Sequence, residues 1–388
     1  MKQCYLNAMG MISALGDGTD ITLKQLQYGQ PQLTYSNAYH NGPPLPLGLI
    51  QQSLNTLPLH DKKWKSRNNQ LTWHIAQQFQ PEIEAAIAKF GADRIGVVIG
   101  TSTSGIAESE SHMRTMANIG TMPEEYHYHL QEMGAPADFL AQTFGISGPT
   151  FGISTACSSG AKALASARRL IRAGICDVVI AGGVDTICRL TVQGFSSLEA
   201  VSTEPCNPFS SNRNGINIGE GGALFLVSAE ASDIALTGIG ESSDAHHISA
   251  PDPSGLGAIR SMSNALDDAG ITATAIDYIN LHGTATPLND QMESIAVNEL
   301  FSKNTLCSST KPYTGHTLGA AGALEAAICV LALRQNFQPE HIWDGSNDQE
   351  LPILNFAPAS SYHPMRFALS NSFAFGGNNI TLILERIS

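Results

Sequence analysis

The residues FGISTACSSGAKALASARRLI, 151–171, and STKPYTGHTLGAAGALEAAICVLAL, 309–333, share one plan. Each reads as a short strand, a turn of small residues and an alanine-rich helix. Each lies near the middle of its own half of the chain. GGALFLVSAE (221–230) and ITLILERIS (380–388) read as equivalent closing strands. This weak repeat implies two related halves, about 1–230 and 231–388, sharing one packed body, because no linker or low-complexity run divides them.

Outward from the repeat, other apolar runs rich in β-branched residues end in glycine or small polar residues. They are RIGVVIGTSTSG (94–105), CDVVIAGGVD (176–185), DYINLHGTATP (277–287) and MRFALSNSFAFGGNN (365–379). Such runs predict buried strands opening into loops. Strands alternating with helices predict an α/β fold with helix-covered sheets. Sites in such folds gather beyond the carboxyl ends of the strands.

Composition narrows the function. The 388 residues are 43% hydrophobic and 14% charged, with a net charge of −13. An acidic chain is a poor partner for nucleic acid, which needs a basic face. No apolar run is expected to reach the roughly 18–20 residues of a membrane span. The start, MKQCYLNAMGMISALGDG, reads as a first strand and turn rather than a signal peptide. Seven scattered cysteines form no CxxC pair or metal-ligand spacing, which predicts a reduced, cytoplasmic protein without a bound metal.

Cys157, in ISTACSSGAKALA, sits where a strand gives way to a helix. Unsatisfied N–H groups and the positive end of the helix dipole acidify a thiol there and can hold an oxyanion. The same turn also suits a small buried cysteine packed like alanine, and the turn alone does not decide. Two of twelve histidines lie among glycines and threonines, where a substrate can come close. They are His282, at the end of a strand, and His316, five residues after Lys311 and nine before Glu325. His127 and His129 read as surface residues, and the pair His246–His247 as a loop that could line an entrance.

In this order, TACSSG, HGTATPLND, STKPYTGHTLGAAGALEA and SNSFAFGGNN resemble the motifs of the elongating β-ketoacyl-acyl carrier protein synthases of fatty acid and polyketide synthesis. AGGVD and RNGINIGEGG extend the likeness over most of the chain. The resemblance implies a thiolase fold, two α/β halves packed as five α-β-α-β-α layers. It implies that Cys157 is acylated and that His282 and His316 serve decarboxylation, with Lys311 and Glu325 supporting their hydrogen bonds. Thr284 and Thr286 would contact the pantetheine arm of an acyl carrier protein. Phe375 would act as a gate, its backbone N–H joining that of Cys157 in an oxyanion hole. Thr103 would set the depth of the acyl pocket. The only prosthetic group implied is the phosphopantetheine carried by the substrates.

The motifs also carry departures. Ala285 stands between the two threonines, and Asn207 and Asn214 replace an arginine and an aspartate of the usual pattern. Lys62, Lys63, Lys65 and Arg67 form a basic cluster suited either to docking an acidic carrier or to a solvated helix start. The implied assembly is a homodimer, or a heterodimer with a chain-length factor. The alternative is that this chain is itself such a non-catalytic subunit, against which its cysteine argues. A thiolase would carry a second cysteine where FGGNN stands. An initiating synthase would carry asparagine rather than His316.

Overall fold

The computed structural model of the chain describes residues 2–387. Its apolar runs form strands buried along their whole length: Ile95–Gly100, Val178–Asp185, Gly221–Ser228 and Phe367–Ala374. Continuous apolar runs rather than alternating ones mark strands covered on both faces.

The strands fall into two arrays of one plan. From its outer edge, the first runs Thr150–Ile153, Ile95–Gly100, Val178–Asp185, Gly221–Ser228, Tyr5–Ser13. The second runs Leu306–Ser308, Tyr278–Asn280, Phe367–Ala374, Asn378–Arg386, Ile234–Ser243, with Asn355–Phe356 added outside it. In both, the successive pairings are parallel, parallel, antiparallel, antiparallel. The arrays meet where Tyr5 faces Ala235.

Helices Ser159–Arg172 and Ala321–Gln335 form the middle layer. Ala161 and Leu164 of one and Leu324 and Ile328 of the other share a core with Val179, Phe225 and Leu382 of the strands. Helices Arg67–Gln77, Gln80–Phe90 and Ala135–Phe144 cover the first array through Leu71, Ile83 and Phe139. Leu256–Ala269 and Pro287–Leu300 cover the second through Met262, Leu266 and Met292. The result is the five-layered thiolase fold implied by the motifs.

One expectation is corrected. The helical run Leu318–Gln335 has 18 residues and is apolar enough to cross a membrane by length and composition alone. Yet 89% of it is buried within the protein. A helix apolar on every face belongs inside a core as readily as in a bilayer, and here every residue from Ala321 to Leu333 is buried.

The two middle helices touch through glycine at their starts. A Cβ on Gly160 would lie 2.9 Å from Ala323 Cβ and 3.0 Å from the Gly319 carbonyl. A Cβ on Gly183 would likewise lie 3.0 Å from the Cα atoms of Ala320 and Gly160. This seam sets the distance between the turns carrying Cys157 and His316. Gly160→Val is expected to lower stability by about 1–3 kcal/mol through overpacking. An unchanged urea midpoint would show that the seam can open freely.

Candidate active site

The nucleophile turn is short and tied down. Strand Thr150–Ile153 ends just before it, and Ala156 takes a left-handed conformation (φ 52°) that costs a non-glycine residue about 1–2 kcal/mol. Two serines offset that strain. Ser159 Oγ accepts from Thr155 N at 2.9 Å and donates to Ala156 O at 2.6 Å. Ser158 Oγ donates to Thr155 O at 2.7 Å. The helix begins at Ser159 without a side-chain cap, and the Ser159 N–H turns back to the Ala156 carbonyl at 3.1 Å.

Cys157 is buried, and burial pushes its thiol up to about 12, with Lys311 pulling the other way. The acidified thiol expected from the helix start therefore meets a larger opposing effect, the loss of water around a thiolate. Ionisation needs a proton acceptor in contact, and His316 Nε2 lies 3.0 Å from Sγ.

His282 and His316 face each other edge to face, with ring centroids 5.4 Å apart. Burial, and then the positive charge of Lys311, hold both well below the usual histidine range. Both rings are thus neutral near pH 7. A neutral ring can donate a hydrogen bond to developing negative charge without giving up its proton. Their folded pKa values lie below their unfolded ones. The stability they contribute is therefore fully present above about 6.5, and is lost as pH falls below that value toward the folded pKa. Chemistry that uses the neutral rings should likewise show no acid limb near pH 6.5. Measured for malonyl decarboxylation, a limb at that pH would place an ordinary exposed histidine at the reacting centre.

Lys311 follows the sequence pattern of His316 but serves His282. Its Nζ donates to the His282 carbonyl and lies 3.5 Å from His282 Nδ1. An ammonium only donates, so Nδ1 accepts and the ring proton sits on Nε2. Nζ also pairs with Glu325 Oε1 at 2.5 Å, both side chains being buried.

Three further carboxylates support the site without having been given a role from the sequence, although Asp290 and Asp185 end the quoted HGTATPLND and AGGVD. Glu293 accepts from His282 N at 2.8 Å and Gly283 N at 2.7 Å, and Asn371 Nδ2 reaches the same carboxylate at 3.2 Å. Asp290 accepts from Ala285 N at 3.2 Å and Phe209 N at 2.7 Å. Burial raises Glu293 to about 7 and Asp290 to about 6. Their three-residue spacing on the helix after HGTATP places them on one face, a signal that was available. Asp185 lies beneath the other side of the site. Its carboxylate accepts from Thr101 Oγ1 at 2.6 Å, Ser102 N at 2.8 Å and both polar groups of Thr103.

Cys157, His282 and His316 open into a cavity of about 370 Å³. Thr284, Thr286 and Phe375 line it as the motifs implied. The two threonine hydroxyls lie 2.9 Å apart, and Phe375 rests against Phe195 with centroids 5.6 Å apart. Residues 249–251 form part of the wall, while His247 stays behind it, its Nδ1 accepting from Ser249 N and Ala250 N.

Two other assignments change. Thr103 is fully buried and does not line this cavity, because Asp185 takes its hydroxyl and its N–H. Arg67 does not offer a free charge. Its guanidinium binds Glu220 through two hydrogen bonds, of 2.8 and 2.6 Å. Lys62 and Lys65 are exposed, and Lys63 stacks over Trp64 at 4.7 Å. A wider surface groove of about 760 Å³ runs past Lys63, His127 and His129, and contains none of the residues just described around Cys157.

The comparisons with known proteins agree with this geometry. The family model for the β-ketoacyl synthase N-terminal domain matches residues 83–232, and that for the C-terminal domain matches 234–343. The 3-oxoacyl-[acyl-carrier-protein] synthase 2 of Coxiella burnetii is 34% identical over 338 residues, covering 82% of this chain and 81% of that protein. The synthase of the same name from Staphylococcus aureus (strain COL) is 30% identical over 409 residues, covering 99% and 98%. A chain from the solved structure of a ketosynthase in complex with its chain length factor from Xenorhabdus doucetiae is 45% identical, with a TM-score of 0.96 over 100% of this chain and 98% of that one. With its matched domains in order and its relatives aligned over most of their length, the chain belongs to the β-ketoacyl synthase family.

Proposed function

We propose that this chain is a decarboxylating β-ketoacyl-[acyl-carrier-protein] synthase, an acyltransferase that elongates chains on carrier-bound thioesters. The observation that carries the reading is the convergence of Cys157 Sγ and one nitrogen each of His282 and His316 within 4.8 Å, at the base of a cavity lined by Thr284, Thr286 and Phe375.

Cys157 Sγ attacks the acyl thioester carbonyl and gives its proton to His316, and the carrier thiol leaves with a proton. Malonyl-carrier then enters. Its carboxylate C–C bond breaks, CO₂ departs, and the electron pair becomes an enolate whose oxygen accepts a hydrogen bond from His282 Nε2–H, and from His316 once its ring proton has moved to Nε2. The enolate carbon attacks the acyl-cysteine, forming the new C–C bond. The backbone N–H groups of Cys157 and Phe375 hold the oxyanion until Cys157 is expelled as a thiolate, which takes up a proton from solvent to restore the resting thiol. Thr284 and Thr286 contact the phosphopantetheine arm, which the substrate brings with it. Lys62, Lys63 and Lys65, without Arg67, form the surface offered to an acidic carrier.

The halves 1–230 and 231–388 divide this work, the first supplying the nucleophile and the second both histidines. The 45% likeness to a ketosynthase solved with its chain length factor supports a heterodimer with a subunit of that kind. The reading of this chain as the silent subunit is disfavoured by Cys157 and its 3.0 Å contact with His316.

Intact-mass spectrometry after incubation with defined acyl carrier proteins is the test. A mass gain equal to one acyl group, located on Cys157, is expected. No loading from any carrier tested would favour the silent-subunit reading. Co-purification from the native source separates homodimer from heterodimer.

A further inference from the structure

His341 belongs to none of the motifs and lies outside the cavity, yet it is 3% exposed and fully hydrogen-bonded. Its ring stacks on Phe356, with centroids 3.9 Å apart and planes 9° from parallel. Nδ1 accepts from Ser309 N at 3.1 Å, and Nε2 donates to Pro208 O at 3.2 Å. A backbone N–H can only donate and a carbonyl can only accept, so one neutral tautomer satisfies both. Burial brings the ring down to about 3, which keeps that tautomer in place across the physiological range.

Both partners lead to His282. Ser309 Oγ donates to Gly283 O at 2.6 Å and accepts from Lys311 N at 3.3 Å. Pro208 precedes Phe209, whose N–H reaches Asp290, and Asp290 accepts in turn from Ala285 N. A closed ring therefore runs from His341 through Ser309 to Gly283, along the loop to Ala285, through Asp290 to Phe209, and back by Pro208. Gly283 and Ala285 both have positive φ, 36° and 64°. Glycine adopts positive φ freely, but Ala285 keeps it only when its surroundings hold it.

We propose that His341 is a positioning residue. Through Ser309 and Pro208 it fixes the loop 282–286 and the start of the Lys311 segment, and so aims His282 at the malonyl group. This rests on the reading of His282 as a donor in decarboxylation. A displacement of about 1 Å at a reacting group can cost on the order of 100-fold in rate.

The experiment measures two partial reactions in the full-length protein: CO₂ release from malonyl-carrier, and acyl loading of Cys157 by intact mass. His341→Phe keeps an aromatic ring against Phe356 but removes both hydrogen bonds. It is expected to slow CO₂ release roughly 10- to 100-fold while loading stays within about twofold. His341→Asn, which can still accept from Ser309 N, should recover most of the loss. Ser309→Ala should give the same split and supplies the readout if His341→Phe does not fold. CO₂ release within twofold of the unaltered chain in both His341→Phe and Ser309→Ala would overturn the proposal. So would a parallel fall in both partial reactions, or no recovery with Asn. Absence of CO₂ release from the unaltered chain would instead overturn the decarboxylase reading beneath it.

Discussion

Cys157→Ala is expected to lose condensation by at least about 10⁴-fold, because it removes the thiol that lines the cavity in contact with a base, His316 Nε2 at 3.0 Å. The change removes one atom from a buried site and should leave the fold intact. Cys157→Gln separates the steps further. It cannot be acylated, yet His282 and His316 remain to stabilise an enolate, so malonyl-carrier should still lose CO₂. Elongation assays, CO₂ release and circular dichroism check the pair of variants. Full elongation by the alanine variant would sink the mechanism. Loss of decarboxylation in the glutamine variant would show that the histidines do not act independently of the sulfur.

The second large effect concerns Lys311. Lys311→Met leaves the Glu325 carboxylate buried without its partner, and breaking a buried pair on one side costs about 3–5 kcal/mol. It also removes the donor to the His282 carbonyl and the charge facing Nδ1. Decarboxylation should therefore fall on the order of 10²–10³-fold, as for loss of one aligned donor. Adding Glu325→Gln to Lys311→Met removes the stranded charge. Stability should partly return while decarboxylation stays low. Urea denaturation and CO₂ release read the two quantities separately. Recovery of both together would mean that Lys311 acts on the reaction only through the fold.

Much of this molecule was legible in its sequence because the chemistry is concentrated in short segments at strand ends. Cys157, His282, His316, Lys311, Glu325, Thr284, Thr286 and Phe375 each lie in a run whose neighbours identify it. The strand–turn–helix repeat likewise foretold the twofold plan of the arrays. What escaped depends on contacts between distant segments. Glu293 and Asp290 are the exception: their spacing just after HGTATP was visible, and their partners His282, Gly283 and Ala285 lie only 5 to 11 residues back. His341 stands 59 positions beyond His282 and has no local pattern at all. Arg67 reads as part of a basic cluster, since nothing nearby reveals Glu220, 153 residues away. The resemblance places Thr103 at the acyl pocket, but the Asp185 that binds its hydroxyl and N–H comes from another strand. Burial also reversed the expected acidity of Cys157, and burial is a property of the packed whole.

The contact between His316 and Cys157 joins residues 159 positions apart. Closing a flexible loop of that length costs about 4–5 kcal/mol in chain entropy before any contact repays it. The reactive pair is accordingly among the last things the chain can form, after local helices and strand pairs have drawn the segments together. Until that contact forms, Cys157 lacks the base that His316 supplies. Catalytic competence therefore doubles as a report of completed folding.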